Sequence, residues 1–208
     1  MDLHPFRHNK NPGVGGVRMK LDARDLALTA TSASLYAVIN IIQTSMGGSI
    51  TFGPIQLRLA DCLIPLSALF GWPFVIGVSI GCFSNAYYWL DPADIVIGPI
   101  VNLAAALLVF YLRKRRLVAC VSGGLTVGVS IGLYLFYLYV QGNAIIQQQV
   151  PNFPGLPLPI WSAFVLSLSV SSLITVGWIG YMLLVALERT RIIGPLKSRG
   201  LKVFANDR

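Results

Sequence analysis

Apolar runs about twenty residues long or longer dominate this chain, at about 26–47, 59–90, 94–112, 117–140 and 160–187. A helix needs roughly 20 apolar residues to cross the hydrocarbon of a bilayer. Inside lipid the backbone must satisfy its own hydrogen bonds, and a helix does that within one segment. Only 12% of the 208 residues are charged and 55% are hydrophobic, against roughly 25% charged in a soluble domain. The sequence therefore reads as an all-α polytopic membrane protein.

Charge decides the number of spans. The formal net charge is +8, and all but one of the sixteen Lys and Arg residues fall in three clusters. Arg7, Lys10, Arg18, Lys20 and Arg24 lie in the N-terminal tail, "RKRR" occupies 113–116, and Arg189, Arg191, Lys197, Arg199, Lys202 and Arg208 close the chain. Basic clusters mark the cytoplasmic side, so all three must face the same way. That requires an even number of spans before "RKRR". The run 59–90 is too long for one span and must split, at the "GWP" of 71–73, where Gly71 and Pro73 permit a tight turn. Six transmembrane helices follow, with both termini cytoplasmic, in a multi-pass protein of the cell membrane. The expected division is a basic tail over 1–24, a six-helix domain over 25–189 and a second basic tail over 190–208. The first 24 residues have no apolar h-region, so no signal peptide is expected.

This topology puts three connections outside, at 48–57, 90–93 and 141–159. Except for Arg58 at the edge of the first, none contains Lys or Arg. "GSITFGPIQ" alternates enough to form a short hairpin or ordered loop. "LDPAD" follows the third span, and "QGNAIIQQQVPNFPGLPLP" has the length and the Gln and Pro content of a lid or gate. Three such loops on one face suggest an outward-facing pocket.

An ionisable side chain at the centre of a span costs roughly 2.5–3.5 kcal/mol on insertion scales and needs a reason. Arg58 and Asp61 stand i, i+3 at the start of the second span. They form either a mutually neutralising interfacial pair or, as we favour, part of a ligand site with Gln56 just upstream. The first span carries Tyr36, Asn40, Gln43 and Gly47 at i, i+4, i+7 and i+11, one polar stripe. It serves either interhelical hydrogen bonding or the pocket. The third span ends in "SNAYYWL". There Asn85 can donate and accept, while Tyr87, Tyr88 and Trp89 are an aromatic belt or a stacking surface. Asp91 before Pro92 reads as a helix N-cap with proline at N1. Asp94, at N3, serves the cap and helix dipole or the ligand. Pro99 would loosen the fourth span near Asn102, and Glu188 is expected to pair at the interface beside Arg189 and Arg191.

Small residues form a second pattern. Gly77 and Gly81 in the third span, and Gly124, Gly128 and Gly132 in the fifth, recur every four residues. The first span has two such faces, Ala23, Ala27, Ala30 and Ser34, and Ala33 with Ala37. Small faces let helices approach closely, inside the bundle or against a partner subunit. Enzyme chemistry finds little footing. His4 and His8 lie in the tail, Cys62, Cys82 and Cys120 have no CxxC spacing, and no G-x-x-x-x-G-K-[ST] loop is present. No catalytic residue, metal ligand or cofactor is expected, and the charge distribution does not suit nucleic acid.

The runs "SLYAVINIIQTSMGGSITFGPIQLRLADCLIPL" and "IGCFSNAYYWLDPADIVIGPIVNLAAALLVFYLRKR" resemble the QueT family of queuosine-precursor transporters, substrate-binding S components of energy-coupling-factor transporters. The resemblance covers about Ala27 to Arg116. Its most specific part is F-G-x-I-Q-x-R, an acidic residue, then a leucine-proline step. The family usually has Glu where this chain has Asp61 and favours Thr where it has Asn102. The resemblance implies six helices, a pocket near the outer face and a 7-deazaguanine ligand such as queuine. Asp61, or alternatively Asp94, would then accept from the ring N1–H and the exocyclic amine. Arg58 or Gln56 would donate to the O6 carbonyl, and Tyr36, Tyr88, Trp89 or Trp161 would stack on the base. With Asn40 and Asn85 these make up the candidate binding set. The implied partners are a transmembrane coupling subunit and a pair of ATPases, docked on the small-residue faces of the first span. The alternative is a carrier or S component for another small molecule, such as a vitamin or purine.

Overall fold

The computed structural model describes residues 22–52, 57–87, 92–148, 150–151, 158–190 and 203. Among them every regular element is helical. Helix α1 spans Ala23–Phe52. It opens on "DARD", where the Asp22 carboxylate accepts the Ala23 amide (2.8 Å) and the Asp25 carboxylate accepts the Asp22 amide (3.4 Å). The Asp25 carboxylate reaching back to the Asp22 N–H is one half of a capping box. The helix continues through residues 48–52, so the hairpin or ordered loop expected over 48–57 does not begin there. The rest of that stretch, 53–56, lies outside the described residues.

The second apolar run does break at "GWP". A 3₁₀ helix over Leu59–Leu66 leads into α2 (Ser67–Phe70), and the chain turns at Gly71 with φ 71° and ψ −149°. Glycine takes that conformation without a Cβ penalty. Helix α3 (Trp72–Gly81) restarts with Pro73 in its first turn, where the missing N–H is no loss. The 3₁₀ geometry before it has a local reason: Pro65 has no N–H to give the Asp61 carbonyl four residues back. A second 3₁₀ segment, Cys82–Tyr87, closes this pass. Helix α4 (Pro92–Tyr111) starts on proline and holds Pro99 inside. Then come α5 (Arg116–Val140), the short α6 (Ala144–Gln147), α7 (Ile160–Ser172), a π-helical stretch (Leu173–Ile179) and α8 (Gly180–Arg189).

Three of the described helices are long and apolar enough to cross a membrane, at Ala23–Met46, Arg116–Val140 and Ile160–Arg189. The segments Leu59–Phe70, Trp72–Asn85 and Ile95–Tyr111 are apolar but shorter. The six segments expected from the sequence are thus unequal, and the second and third are built of broken helix.

Contacts give their directions. Helix α3 runs alongside α1 in the same sense: Thr29 Oγ1 donates to Pro73 O (3.0 Å), and Asn40 lies against Asn85. At Gly81 an added Cβ would sit 2.7 Å from Ala33 O, so the Ala33 face of α1 is used inside the bundle. The other small face, Ala23, Ala27, Ala30 and Ser34, stays exposed. Helix α4 returns, with Gly98 beside Cys82 and Ala106 O accepting from Ser67 Oγ (3.0 Å). Helix α5 turns back along α4, with Gly123 against Val109. Helix α7 is antiparallel to α5, and at Gly128 an added Cβ would lie 2.4 Å from Ser169 Cα. Glu188 forms an ion pair with Arg116, a partner its sequence neighbourhood does not suggest, while Arg191, one of the two neighbours it was expected to pair with, lies outside the described residues. Separation in sequence does not matter here, because the antiparallel course brings the start of α5 and the end of α8 to one end of the bundle. Within the 141–159 stretch, α6 drops Ile146 into the core.

Candidate functional site

The polar stripe of α1 faces inward and reaches three separate segments. Tyr36, Asn40 and Gln43 lie i, i+4 and i+7, one face of two helical turns. Tyr36 and Asn40 are buried and Gln43 is half-buried. The Tyr36 hydroxyl donates its one proton to Asp61 Oδ1 at 2.5 Å and accepts from Asn102 Nδ2 at 2.9 Å. Three helical segments therefore meet at one carboxylate: α1, the first 3₁₀ helix and α4. Two turns further on, the Gln43 amide accepts from the Leu59 N–H (2.7 Å) and donates to the Leu57 carbonyl. Between them Asn40 Nδ2 donates to Asn85 Oδ1 (2.7 Å) and to Ser84 Oγ (2.9 Å) on the second 3₁₀ segment. Asn85 Nδ2 in turn donates to Cys82 Sγ (3.3 Å). Buried polar groups must be hydrogen-bonded, and here the bonding fixes two irregular segments to a regular helix.

Arg58 and Asp61 share the first turn of the 3₁₀ helix, joined by the Asp61 N–H donating to the Arg58 carbonyl (3.1 Å). Arg58 is 6% exposed and Asp61 1%. Both line a cavity of about 10 Å³, closed by Val127 and Ile131 of α5, Leu168 and Ser172 of α7 and Thr175 of the π stretch. That volume holds about one water molecule. The Thr175 hydroxyl donates back to Ser171 O (3.1 Å), so it offers the cavity acceptor capacity only. The arrangement sets a guanidinium and a carboxylate, three positions apart, in front of an apolar wall with two hydroxyls. It can read a ligand edge that carries both donors and acceptors.

The expected residues do not all come together. Tyr36, Arg58 and Asp61 converge, and Asn40 and Asn85 form an adjacent cluster bonded to each other. Trp161 stands apart, 50% exposed on the first turn of α7, because its helix turns that face out of the bundle. Gln56, Tyr88 and Trp89 lie outside the described residues, as does the side chain of Asp94, whose backbone is in the first turn of α4. Four participants were not in the expected binding set. Gln43 and Asn102 were visible as polar residues at membrane depth. Ser172 and Thr175 sit i, i+3 in "SVSSLITVG", but a π-helical register has no sequence period by which to orient them.

A family model described as "QueT transporter" matches residues 26–189. A curated relative from Lactococcus lactis subsp. cremoris (strain MG1363), named "Queuosine precursor transporter QueT", is 28% identical over 79 residues. Those residues are 38% of this chain and 45% of the relative, so the chain matches under half of that protein's length. No solved structure matches the chain.

Proposed function

This chain belongs to the QueT transporter family, and on that premise we propose that it is the substrate-binding membrane subunit for uptake of a queuosine precursor, a 7-deazaguanine base such as queuine. The observation that carries this reading is the buried pair Arg58 and Asp61, both lining one cavity in a chain with few charges to spend. Asp61, held by Tyr36, accepts from the ring N1–H and exocyclic amine, while Arg58 donates to the O6 carbonyl. Ser172 and Thr175 add hydroxyls from the facing wall. Such a site rejects adenine, whose N6 amine sets a donor against Arg58 and whose N1 sets an acceptor against Asp61. Tyr36 acts through Asp61, its hydroxyl being committed there, so stacking falls to Tyr88 or Trp89 more than to the exposed Trp161. A bicyclic base is several times larger than the cavity, and its entry parts Arg58 and Asp61 from the α5–α7 wall.

The six alternating segments support six spans with both ends cytoplasmic, the tails 1–24 and 190–208 lying on that side of the plasma membrane. The chain has no phosphate-binding loop of its own, so transport is energised by a separate coupling subunit with a pair of ATPases. The exposed Ala23, Ala27, Ala30 and Ser34 face of α1 is where that subunit docks. Queuine binding to detergent-purified full-length protein tests the reading, with adenine and guanine as competitors. Binding that Asp61→Ala abolishes supports it. Binding unchanged in Asp61→Ala, or a preference for another purine or a vitamin, replaces it with a carrier for a different small molecule.

A further inference from the structure

We infer that Gln43 is a positioning residue for ligand recognition, acting through Arg58. The inference rests on the reading of Arg58 as a ligand contact and names what sets its place. Leu59 opens a 3₁₀ helix, so its N–H is one of the donors that the helix itself leaves unsatisfied. Arg58, at the N-cap position, supplies no side-chain cap. Gln43, sixteen positions earlier on α1, supplies it instead. Its Oε1 accepts the Leu59 N–H at 2.7 Å, while its Nε2 donates to the Leu57 carbonyl.

One primary amide therefore grips the backbone on both sides of Arg58. It does so with a donor and an acceptor on separate atoms of one planar amide, and Asn, the other primary amide, is one methylene shorter. Arg58 has φ −88° and ψ 92°, neither helical nor part of a strand ladder. The Arg58 carbonyl accepts the first 3₁₀ bond, from the Asp61 N–H, and the clamp adds a hold on the residues at either side. Asp61 is anchored separately, through Tyr36. The two anchors lie seven positions apart on the same face of α1, so the rigid helix sets the spacing between cation and carboxylate. A ligand edge that must meet both charges at once is sensitive to that spacing, because a small misplacement of a contacting group weakens recognition steeply.

The test is a double-mutant cycle on queuine affinity, using full-length protein in detergent with Gln43→Met, Arg58→Met and both together. Methionine keeps the volume of glutamine and removes both hydrogen bonds. Gln43→Met should weaken binding roughly tenfold in the parent and change nothing further in the Arg58→Met background, since its effect runs through Arg58. Gln43→Asn keeps the amide one methylene shorter and should lose less than Gln43→Met. It also takes that variant's place in the cycle if Gln43→Met does not fold. Additive losses in the double variant would overturn the inference, as would parent-like affinity in Gln43→Met when Arg58→Met binds weakly. If Arg58→Met binds like the parent, or if the parent does not bind queuine, the reading of the site falls first and takes the inference with it.

Discussion

The two halves of the bundle are held together by different means. From α1 through α4 the segments are tied by side-chain hydrogen bonds between elements: Tyr36 to Asp61, Asn102 to Tyr36, Asn40 to Asn85, Ser67 to Ala106. This half also contains both 3₁₀ segments. In the second half, α5 through α8, backbone meets backbone where Gly124, Gly128 and Gly132 abut Ser172, Ser169 and Val165. Hydroxyls such as Thr126 turn back onto their own helix there. Lipid offers no hydrophobic drive for helices to associate, so close packing and interhelical hydrogen bonds are the two available adhesives. The first half uses both, with Gly77 and Gly81 pressed against α1, and the second relies mainly on close packing. Polar ties can hold irregular backbone and aim charged groups, whereas glycine contacts can only build a wall. The charged residues of the cavity belong to the first half and its apolar lining to the second.

The largest effect expected from this contrast is at Gly128. Leucine there would drive a Cβ to 2.4 Å from Ser169 Cα, backbone that cannot step aside. Gly128→Leu should lose about 3 kcal/mol and most of the monodisperse protein in detergent; a melting midpoint near the parent's would show that the second half is not packed on its glycines. Next comes Asp61→Ala, which strips the acceptor from Tyr36 and leaves Arg58 without the facing carboxylate, for about 2–3 kcal/mol and the loss of queuine binding. Tyr36→Phe removes one hydroxyl that joins α1 to both Asp61 and Asn102. We expect a loss of about 1 kcal/mol, with affinity falling more than the midpoint. Equal falls in both would make Tyr36 a packing residue alone. Glu188→Gln breaks the ion pair with Arg116 at one end of the second half and should cost about 1 kcal/mol or less, reduced further by salt. Smallest of all, Ala27→Leu on the exposed face of α1 should leave the midpoint within about 0.5 kcal/mol of the parent's. Co-purification with the proposed coupling subunit is the measurement that would respond, and an unchanged yield of such a complex would remove this face as the dock.

Much of this was legible because membrane chemistry leaves strong marks in a sequence. The break at Gly71 followed from charge parity, since a 32-residue run is too long for one span and short for two. The start of α4 at Pro92 followed from "DP", and Arg58 and Asp61 stood out because charge in an apolar run is costly. What escaped has physical causes too. Residues 48–52 read as the start of a hairpin or ordered loop because "GSITFGPIQ" alternates, yet they extend an existing helix, whose propagation needs no new nucleus. The pairing of Glu188 with Arg116 escaped because an ion pair across 72 positions has no local signature. Gln43 was visible as part of a stripe, but nothing in the sequence said that its amide would close on the backbone around Arg58.

By itself the sequence determined the solvent of this protein, its helical content, the point where its second apolar run divides and the identity of its unusual charges. Each of these follows from the free energy of a residue type in lipid, a local property that survives without any neighbour. Only the tertiary structure decided which polar residues meet, which small face stays exposed and which wall confronts Arg58 and Asp61. Those depend on the direction and register of helices far apart in the chain. Register is set by the sum of many close contacts, glycine against backbone and amide against carbonyl, and no short stretch of sequence contains that sum.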